Sequence, residues 1–410
     1  MYKKIVLFII SHLTVLYCSA QNLPSLLLDR NINSTFSIIA YDSAAKEWGI
    51  AVATNNIYVG NSTVYIQPGL GAFSVIAETD PDYAINGFAA LKKGKSVKEA
   101  IESTRANDED ANFRQIAGID SIGNVYAYTG SALKFWKGDA THLTGKHYVV
   151  LGNQLAEGVL SSMAKSYEHS TGTLAERLLT SIRAGQDAGG QITGKQSAAL
   201  MVKGAGQEWY NQIDLRVDDA KYPLIELQRL LNFHYGRIKL NQAIKLLKDG
   251  EKVHGLKLLN EAGKLVEGWN GIYSKLIMGM LLGGEEDAAV KIILKAIKEN
   301  PDWKENLPCF YFLANRPELR KFYIKDVFSE KDWNQAIQFL IEINKPREAL
   351  KLTDRVIGKF PRSSYPYYLK GEAYRKINEK RPAVTSYEMA VLLDKDNEEA
   401  VLALKRLKKE

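Results

Sequence analysis

Cysteine is nearly missing from this chain: its 410 residues carry two, Cys18 and Cys309. If Cys18 leaves with an N-terminal targeting segment, no intramolecular disulfide can form. Cys309 then has no sequence neighbours that suggest a nucleophile and reads as a buried structural thiol. An oxidising compartment is permitted but supplies no staple. Histidine is also scarce, six in all. His142, His147 and His169 show neither zinc-ligand spacing nor a His-Glu-x-x-His helix, so neither a metal nor another cofactor is expected. An excess of one charge is lacking as well. Lys and Arg number 54 against 47 Asp and Glu, a difference of seven that a solvated helical face accounts for. Nucleic-acid-binding motifs are absent, and the aromatic residues fit core positions better than stacking platforms. The apolar run from Ile5 to Leu16 is too short and interrupted for a spanning helix.

What remains is a globular composition, 46% hydrophobic and 25% charged, in a chain long enough for two or three domains. Lys3 and Lys4 precede the apolar run, and Cys18-Ser19-Ala20 places small residues before Gln21. That is the layout of a signal peptide over residues 1–20, which predicts export to the periplasm or beyond. The bulky Tyr17 directly before Cys18 argues against lipid attachment there. Residues 21–34 read as a polar leader without periodicity.

From Thr35 the pattern becomes strand-like. Thr35–Tyr41 and Trp48–Ala53 flank a turn, and Ser62–Ile66 and Gly69–Ala77 add two further strands. Helices are predicted at Asp82–Lys92 and Ser96–Ser103, the second opened by a Ser96/Glu99 capping box. Strands follow at Arg114–Asp120, Val125–Thr129 and His147–Leu151, the first two joined by a tight Ser121–Asn124 hairpin. Helices at Glu157–His169 and Thr173–Ala188 and strands at Ser197–Val202 and Ile213–Val217 complete the set. This order predicts an α+β fold, a layered sandwich over residues 35–222 with antiparallel sheets between helices.

Beyond Pro223 the chain turns almost wholly helical, and a period of about 34 residues can be laid over it. Tyr367, Gly371, Tyr374, Ala383, Tyr387 and Ala390 make the clearest copy. Trp333, Ala349, Val356 and Pro361 make another, and Tyr273, Met280, Ala289, Ile293, Ala296 and Pro301 an earlier one. A weaker copy uses Leu246, Gly255, Leu259 and Ala262. Small residues let paired helices approach while large ones fill the seam. Residues 223–410 therefore read as a tetratricopeptide-like array, interrupted at 304–329, that presents a groove to a peptide or protein. A purely structural appendage is the other reading.

Two segments carry a resemblance. A strand opening on Thr35 and a second reading Gly49-Ile50-Ala51-Val52-Ala53-Thr54-Asn55-Asn56 resemble the first strands of proteasome-type N-terminal-nucleophile hydrolases. More specifically, six strings occur in one order: Thr35-Phe36-Ser37-Ile38, Arg114–Asp120, Tyr128-Thr129-Gly130, Gly152-Asn153, Ala184–Gly190 and Gln196–Ala199. With Asp214–Asp219 they resemble the bacterial domain of unknown function numbered 1028, a family placed in that superfamily. The resemblance covers roughly residues 35–220. It implies a four-layer αββα sandwich and hydrolysis of an amide or peptide bond. In that superfamily the first mature residue is the nucleophile and its own α-amine the base. An α-amine titrates near about 7.7–8.0 against about 10.4 for lysine, so much more of it is neutral at working pH.

Carried over, Thr35 is the candidate nucleophile. Asn55 stands where proteasome-like enzymes have an acidic residue, and Asn153 is the candidate oxyanion donor. No lysine occurs in Ser62–Ile66, where proteasome-like sites hold one. Signal removal at Gln21 leaves residues 21–34 ahead of Thr35, so the amine is free only after a further cut between Ser34 and Thr35. Candidate substrate contacts are Arg114, Asp187, Gln196, Ser197, Arg216 and Asp218. For Arg216, Asp218 and Asp219 a rim salt bridge is the competing reading. The loop Gly189–Lys195 nearly spells a phosphate-binding loop, but Gln196 stands where Ser or Thr is needed, and a helix precedes it where a strand is required. Two functions remain in view: an exported amidohydrolase acting through Thr35, or a non-catalytic scaffold that binds peptide or protein. Oligomeric state is open.

Overall fold

The computed structural model describes residues 34–323 and 328–407. The expected signal peptide and nearly all of the expected leader, with Cys18, lie outside the described residues. The chain divides into two compact units, one reaching to Leu231 and the other starting at Asn232. The expected boundary at residue 222 falls at the start of helix Pro223–Lys248, within which the units divide.

The first unit holds two antiparallel sheets. The larger runs β10-β9-β2-β1-β8-β7, formed by Ile213–Val217, Ser197–Gly204, Glu47–Thr54, Thr35–Asp42, Tyr148–Leu155 and Asp139–Gly145. The smaller runs β3-β4-β5-β6, formed by Val64–Gln67, Gly71–Ala77, Arg114–Asp120 and Val125–Thr129. Ile39, Ile50, Val52, Val149 and Leu151 from the first sheet meet Ala72, Ile76, Ala117 and Ile119 from the second in one buried layer. Helices α1 (Asp82–Lys92) and α2 (Val97–Arg105) cover the smaller sheet, with Tyr83, Leu91, Val97 and Ile101 packed on Phe73 and Ile116. Helices α3 (Val159–His169) and α4 (Leu174–Asp187) cover the larger one. A Cβ on Gly49 would lie 2.4 Å from Leu178, which is how closely α4 seats on β2. The result is an αββα sandwich. Both faces of β1 are covered, so its first seven residues are buried without alternation.

Local signals account for the element ends. Ser96 accepts from the Glu99 amide and Glu99 returns to Ser96, closing the capping box that starts α2. Thr173 and Glu176 do the same for α4. At the β5–β6 hairpin Asp120 accepts from the Ile122 and Asn124 amides, with Gly123 at φ +90°.

The second unit is built of helical hairpins. Its second-of-pair helices are α6 (Lys252–Leu265), α8 (Glu286–Glu299), α11 (Pro346–Lys359) and α13 (Lys380–Leu393). Lys252 and Glu286 start 34 residues apart, as do Pro346 and Lys380; between Glu286 and Pro346 the interval widens to 60. That widening holds a 3-10 stretch, Pro301–Leu313, and a short helix, α9 (Pro317–Arg320). The interruption expected at 304–329 thus coincides with a lapse in the period. Each of the four pairs turns in the same way. Gly250, Gly284, Asn344 and Asn378 adopt left-handed φ of 89°, 80°, 60° and 61°, each two residues before its second helix. The following amides, Glu251, Glu285, Lys345 and Glu379, reach back to the carbonyls of Leu246, Met280, Leu340 and Tyr374. This is the glycine or asparagine stop that closes a helix through a 6→1 bond. In the last hairpin, α12 (Ser364–Lys376) and α13, Gly371 lets Tyr387 lie against the α12 backbone.

Cys309 is half-buried, its thiol 3.8 Å from Gln335 Oε1 and pushed up by burial. Among the described residues no helix is long and apolar enough to cross a membrane. No group of three or more His, Cys, Asp or Glu among them could hold a metal ion.

Candidate functional site

Strand register brings the site together. Ser197 on β9 lies opposite Thr54 on β2, Thr54 opposite Thr35 on β1, and Thr35 opposite Asn153 on β8. Ile39, Val52, Leu151 and Ala199 on these strands face the layer between the sheets, and residues an even number away share their face. A polar row therefore crosses one end of the larger sheet on its inner side, and all four members are buried.

Thr35 is 4% exposed, and its Oγ1 lies 2.9 Å from Thr54 Oγ1. The Thr54 hydroxyl has one proton, which it donates to the Ser34 carbonyl oxygen at 2.9 Å. Thr54 Oγ1 must therefore accept from Thr35. The Asn55 amide donates to the same Ser34 oxygen at 3.1 Å. The carbonyl just before the candidate nucleophile is thus held by two donors, in the pattern of an oxyanion hole. Above it sits the loop that joins α4 to β9. Thr193 of that loop hydrogen-bonds the Ser34 hydroxyl through its Oγ1, and its carbonyl accepts from Asn55 Nδ2 at 2.8 Å. Gly194, at φ +114°, lets the loop come this close; a Cβ there would meet Asn55 Oδ1 at 3.3 Å.

Asn153 is partly engaged within the protein. Its Nδ2 donates to Gln115 Oε1 at 3.2 Å, while its Oδ1 is buried without a partner. Turning the amide over is blocked. Gln115 Nε2 points at the carbonyls of Gly152 and Thr141, at 2.8 and 3.1 Å, and at Thr129 Oγ1, which fixes its Oε1 toward Asn153. Asn153 therefore offers the site an acceptor, and its Nδ2 keeps one hydrogen beyond the bond to Gln115. Gln115, fully buried on β5 of the opposite sheet, is the residue that sequence reasoning passed over. Its one signal was a glutamine on a strand otherwise apolar on that face.

Thr35, Asn55, Asn153 and Ser197 come together at this end of the sheet. Ser197 Oγ is buried without a partner. Gln196 borders the group: its amide donates to the Thr54 carbonyl at 2.9 Å, and its side chain donates to Asp219 Oδ1 at 2.8 Å. Other candidates have other partners. Arg114 donates to both Asp108 oxygens, at 2.6 and 3.1 Å, and to the Glu78 carbonyl, which makes it a clamp under α1. Burial pushes the Asp108 carboxyl up, but hydrogen bonds from Arg114 and Tyr83 outweigh this and hold it below the usual carboxylate range. Arg216 pairs with Asp214 at 2.9 Å on an exposed strand, and Asp218 is exposed nearby in the chain. Asp187, at the end of α4, borders a cavity of about 180 Å³ with Arg183, Lys195 and Tyr222. His142 Nδ1 bonds Thr129 Oγ1, while His147 and His169 donate to the Gly123 and Lys165 carbonyls. All three are hydrogen-bonded structural residues.

In the second unit a cavity of about 560 Å³ opens among Leu247, Leu282, Gln338, Tyr365, Tyr368 and Lys376. It is the natural candidate for a partner groove on the repeats.

The fold and the polar row define a layered αββα domain with a threonine at the head of its central strand, joined to helical-hairpin repeats. Residues 35–227 match the model of a family of unknown function, DUF1028. Among solved structures, a DUF1028 protein from Silicibacter pomeroyi is similar at 27% identity, covering 48% of this chain and 84% of its own, with a TM-score of 0.45. The helical side is similar to the P58(IPK) TPR domain, at 15% identity, 42% and 55% coverage and a TM-score of 0.21. It is also similar to YrrB, described as a TPR protein with an unusual peptide-binding site, at 19% identity, 41% and 90% coverage and a TM-score of 0.23. No curated protein matches the chain.

Proposed function

We propose that this is an exported amidohydrolase of the N-terminal-nucleophile type, activated by a cut between Ser34 and Thr35, with helical repeats that hold a peptide or protein partner. The observation that carries the reading is the Ser34 carbonyl, which accepts from Thr54 Oγ1 and the Asn55 amide while the Thr35 hydroxyl bonds Thr54. In the activating cut Thr35 Oγ1 attacks that carbonyl carbon. The C–O bond forms, the Ser34–Thr35 C–N bond breaks, and the hydroxyl proton ends on the Thr35 nitrogen. Water then splits the ester, giving its hydroxyl to the acyl carbon and a proton back to Thr35 Oγ1. The freed amine serves as base in later turnovers, and the same two donors stabilise the oxyanion of a substrate amide.

The competing reading is a scaffold that binds without catalysis. It is supported by Asn153, whose Nδ2 already gives one of its two N–H bonds to Gln115. The two readings separate on an electrophilic amide probe. The hydrolase reading expects one adduct, at Thr35, lost in Thr35→Ala; labelling that persists in that variant contradicts it. On the helical side, the cavity between Gln338 and Tyr368 supports partner binding.

A further inference from the structure

We infer that the acyl side of the substrate is a serine-sized, hydroxyl-bearing residue, because the chain's own Ser34 occupies the subsite that the substrate acyl group must later enter. The inference rests on the hydrolase reading and deepens it. Ser34 is 1% exposed, so its side chain is enclosed. Its carbonyl is held by Thr54 Oγ1 and the Asn55 amide, and its hydroxyl by Thr193 Oγ1. The segments that carry these groups have holds besides Ser34. Thr54 and Asn55 belong to β2 and its end, and the Thr193 backbone is tied down by Asn55 Nδ2. When residues ahead of Thr35 depart, two donors for a carbonyl and one hydroxyl remain at the spacing of a seryl group. Ser197 Oγ, fully buried beside Thr54 and without a partner, adds independent polar capacity at the same place.

Size and chemistry both follow. A leucine-sized acyl group is expected to crowd Thr193, whose Oγ1 already touches the serine hydroxyl, and with it the loop that Asn55 Nδ2 holds. An alanine fits but leaves the Thr193 hydroxyl without the partner it has now, a loss worth about fivefold in kcat/KM for one hydrogen bond. Thr193 is thus a specificity-determining residue, and Asn55 positions it.

The test uses the full chain, purified and sized by intact mass. It is assayed against four aminocoumarin amides of otherwise identical peptides ending in Ser, Thr, Ala or Leu. The expected order is Ser at or above Thr, about fivefold above Ala, with Leu lower by at least about 100-fold. Thr193→Val is expected to bring Ser and Ala to within twofold of each other. In parallel, the Ser34→Ala chain is expected to reach a Thr35 start more slowly than wild type, and Ser34→Leu slower still. Leu cleaved as well as Ser, or a Ser-to-Ala ratio untouched by Thr193→Val, overturns the inference while leaving the hydrolase reading intact. A chain that never starts at Thr35 and cleaves none of the four overturns both.

Discussion

Replacing Thr54 by valine removes one hydroxyl from the centre of the site and little else. In the native arrangement that hydroxyl accepts from Thr35 at 2.9 Å and donates to the Ser34 carbonyl at 2.9 Å. The carbonyl keeps its second donor, the Asn55 amide at 3.1 Å, so no buried oxygen is stranded. The stability cost is therefore about 2 kcal/mol, two hydrogen bonds at about 1 net each, and the domain stays folded. Catalytic cost is larger, because a donor aimed at a developing oxyanion is worth roughly 100-fold or more in rate. Pulse synthesis followed by intact-mass analysis measures the fraction of chains starting at Thr35 against time. Thr54→Val is expected to accumulate chains that retain Ser34, while Thr54→Ser, which keeps the hydroxyl, is expected to mature near the wild-type rate. A valine variant that matures as fast as the serine variant refutes the assignment of Thr54 as donor to the Ser34 carbonyl.

Three further outcomes follow from packing and charge. Gln115→Leu leaves Gly152 O and Asn153 Nδ2 without their present partner in the buried layer between the sheets, and urea unfolding is expected to show a loss of about 2–4 kcal/mol; a change under 1 would mean that water replaces the amide. Arg114→Met strands Asp108, whose side chain, like that of Arg114, is only 10% exposed, at a cost of about 3–5 kcal/mol at pH 7. Because Asp108 is held below its unfolded value of about 3.9, that stabilisation is present above it and is lost as pH falls through the folded value. The gap between variant and wild type should therefore narrow below about pH 4, and a gap that is pH-independent contradicts the pairing. In the helical unit Gly371→Ala drives a Cβ to 2.4 Å from the buried Tyr387 ring, whose hydroxyl is tied to Glu372, for an expected loss of about 1–3 kcal/mol. Gly358→Ala, with nothing within 4 Å, is the control and is expected to be neutral or mildly stabilising.

The legibility of this molecule in its sequence divides along physical lines. Strands buried on one or both faces, such as Thr35–Asp42 and Arg114–Asp120, announce themselves by apolar and β-branched residues. Strand Asp139–Gly145 did not. It lies at the edge of the larger sheet, mostly exposed, and its Asp-Ala-Thr-His-Leu-Thr-Gly has no apolar period to read. The repeat was visible in its large and small seam positions, and the four left-handed turn residues explain why its weakest copy, around Gly255, still folds as a hairpin. The site was legible in part. Thr35, Asn55, Asn153 and Ser197 could be named from the family resemblance. Their alignment in one row depends on strand register, which no local pattern fixes. Gln115 comes from the other sheet and Thr193 from a loop, so only the fold brings them to Ser34. Arg114 looked like a substrate contact because a buried arginine and its carboxylate look alike in sequence whether they bind a ligand or each other.

The most direct measurement is the first residue of the protein recovered from its native compartment, read by Edman degradation and intact mass. The account predicts Thr35 as that residue, and a Thr35→Ala chain that keeps Ser34 attached. Mature protein that begins at Gln21, with the Thr35 nitrogen still in amide linkage, would contradict it.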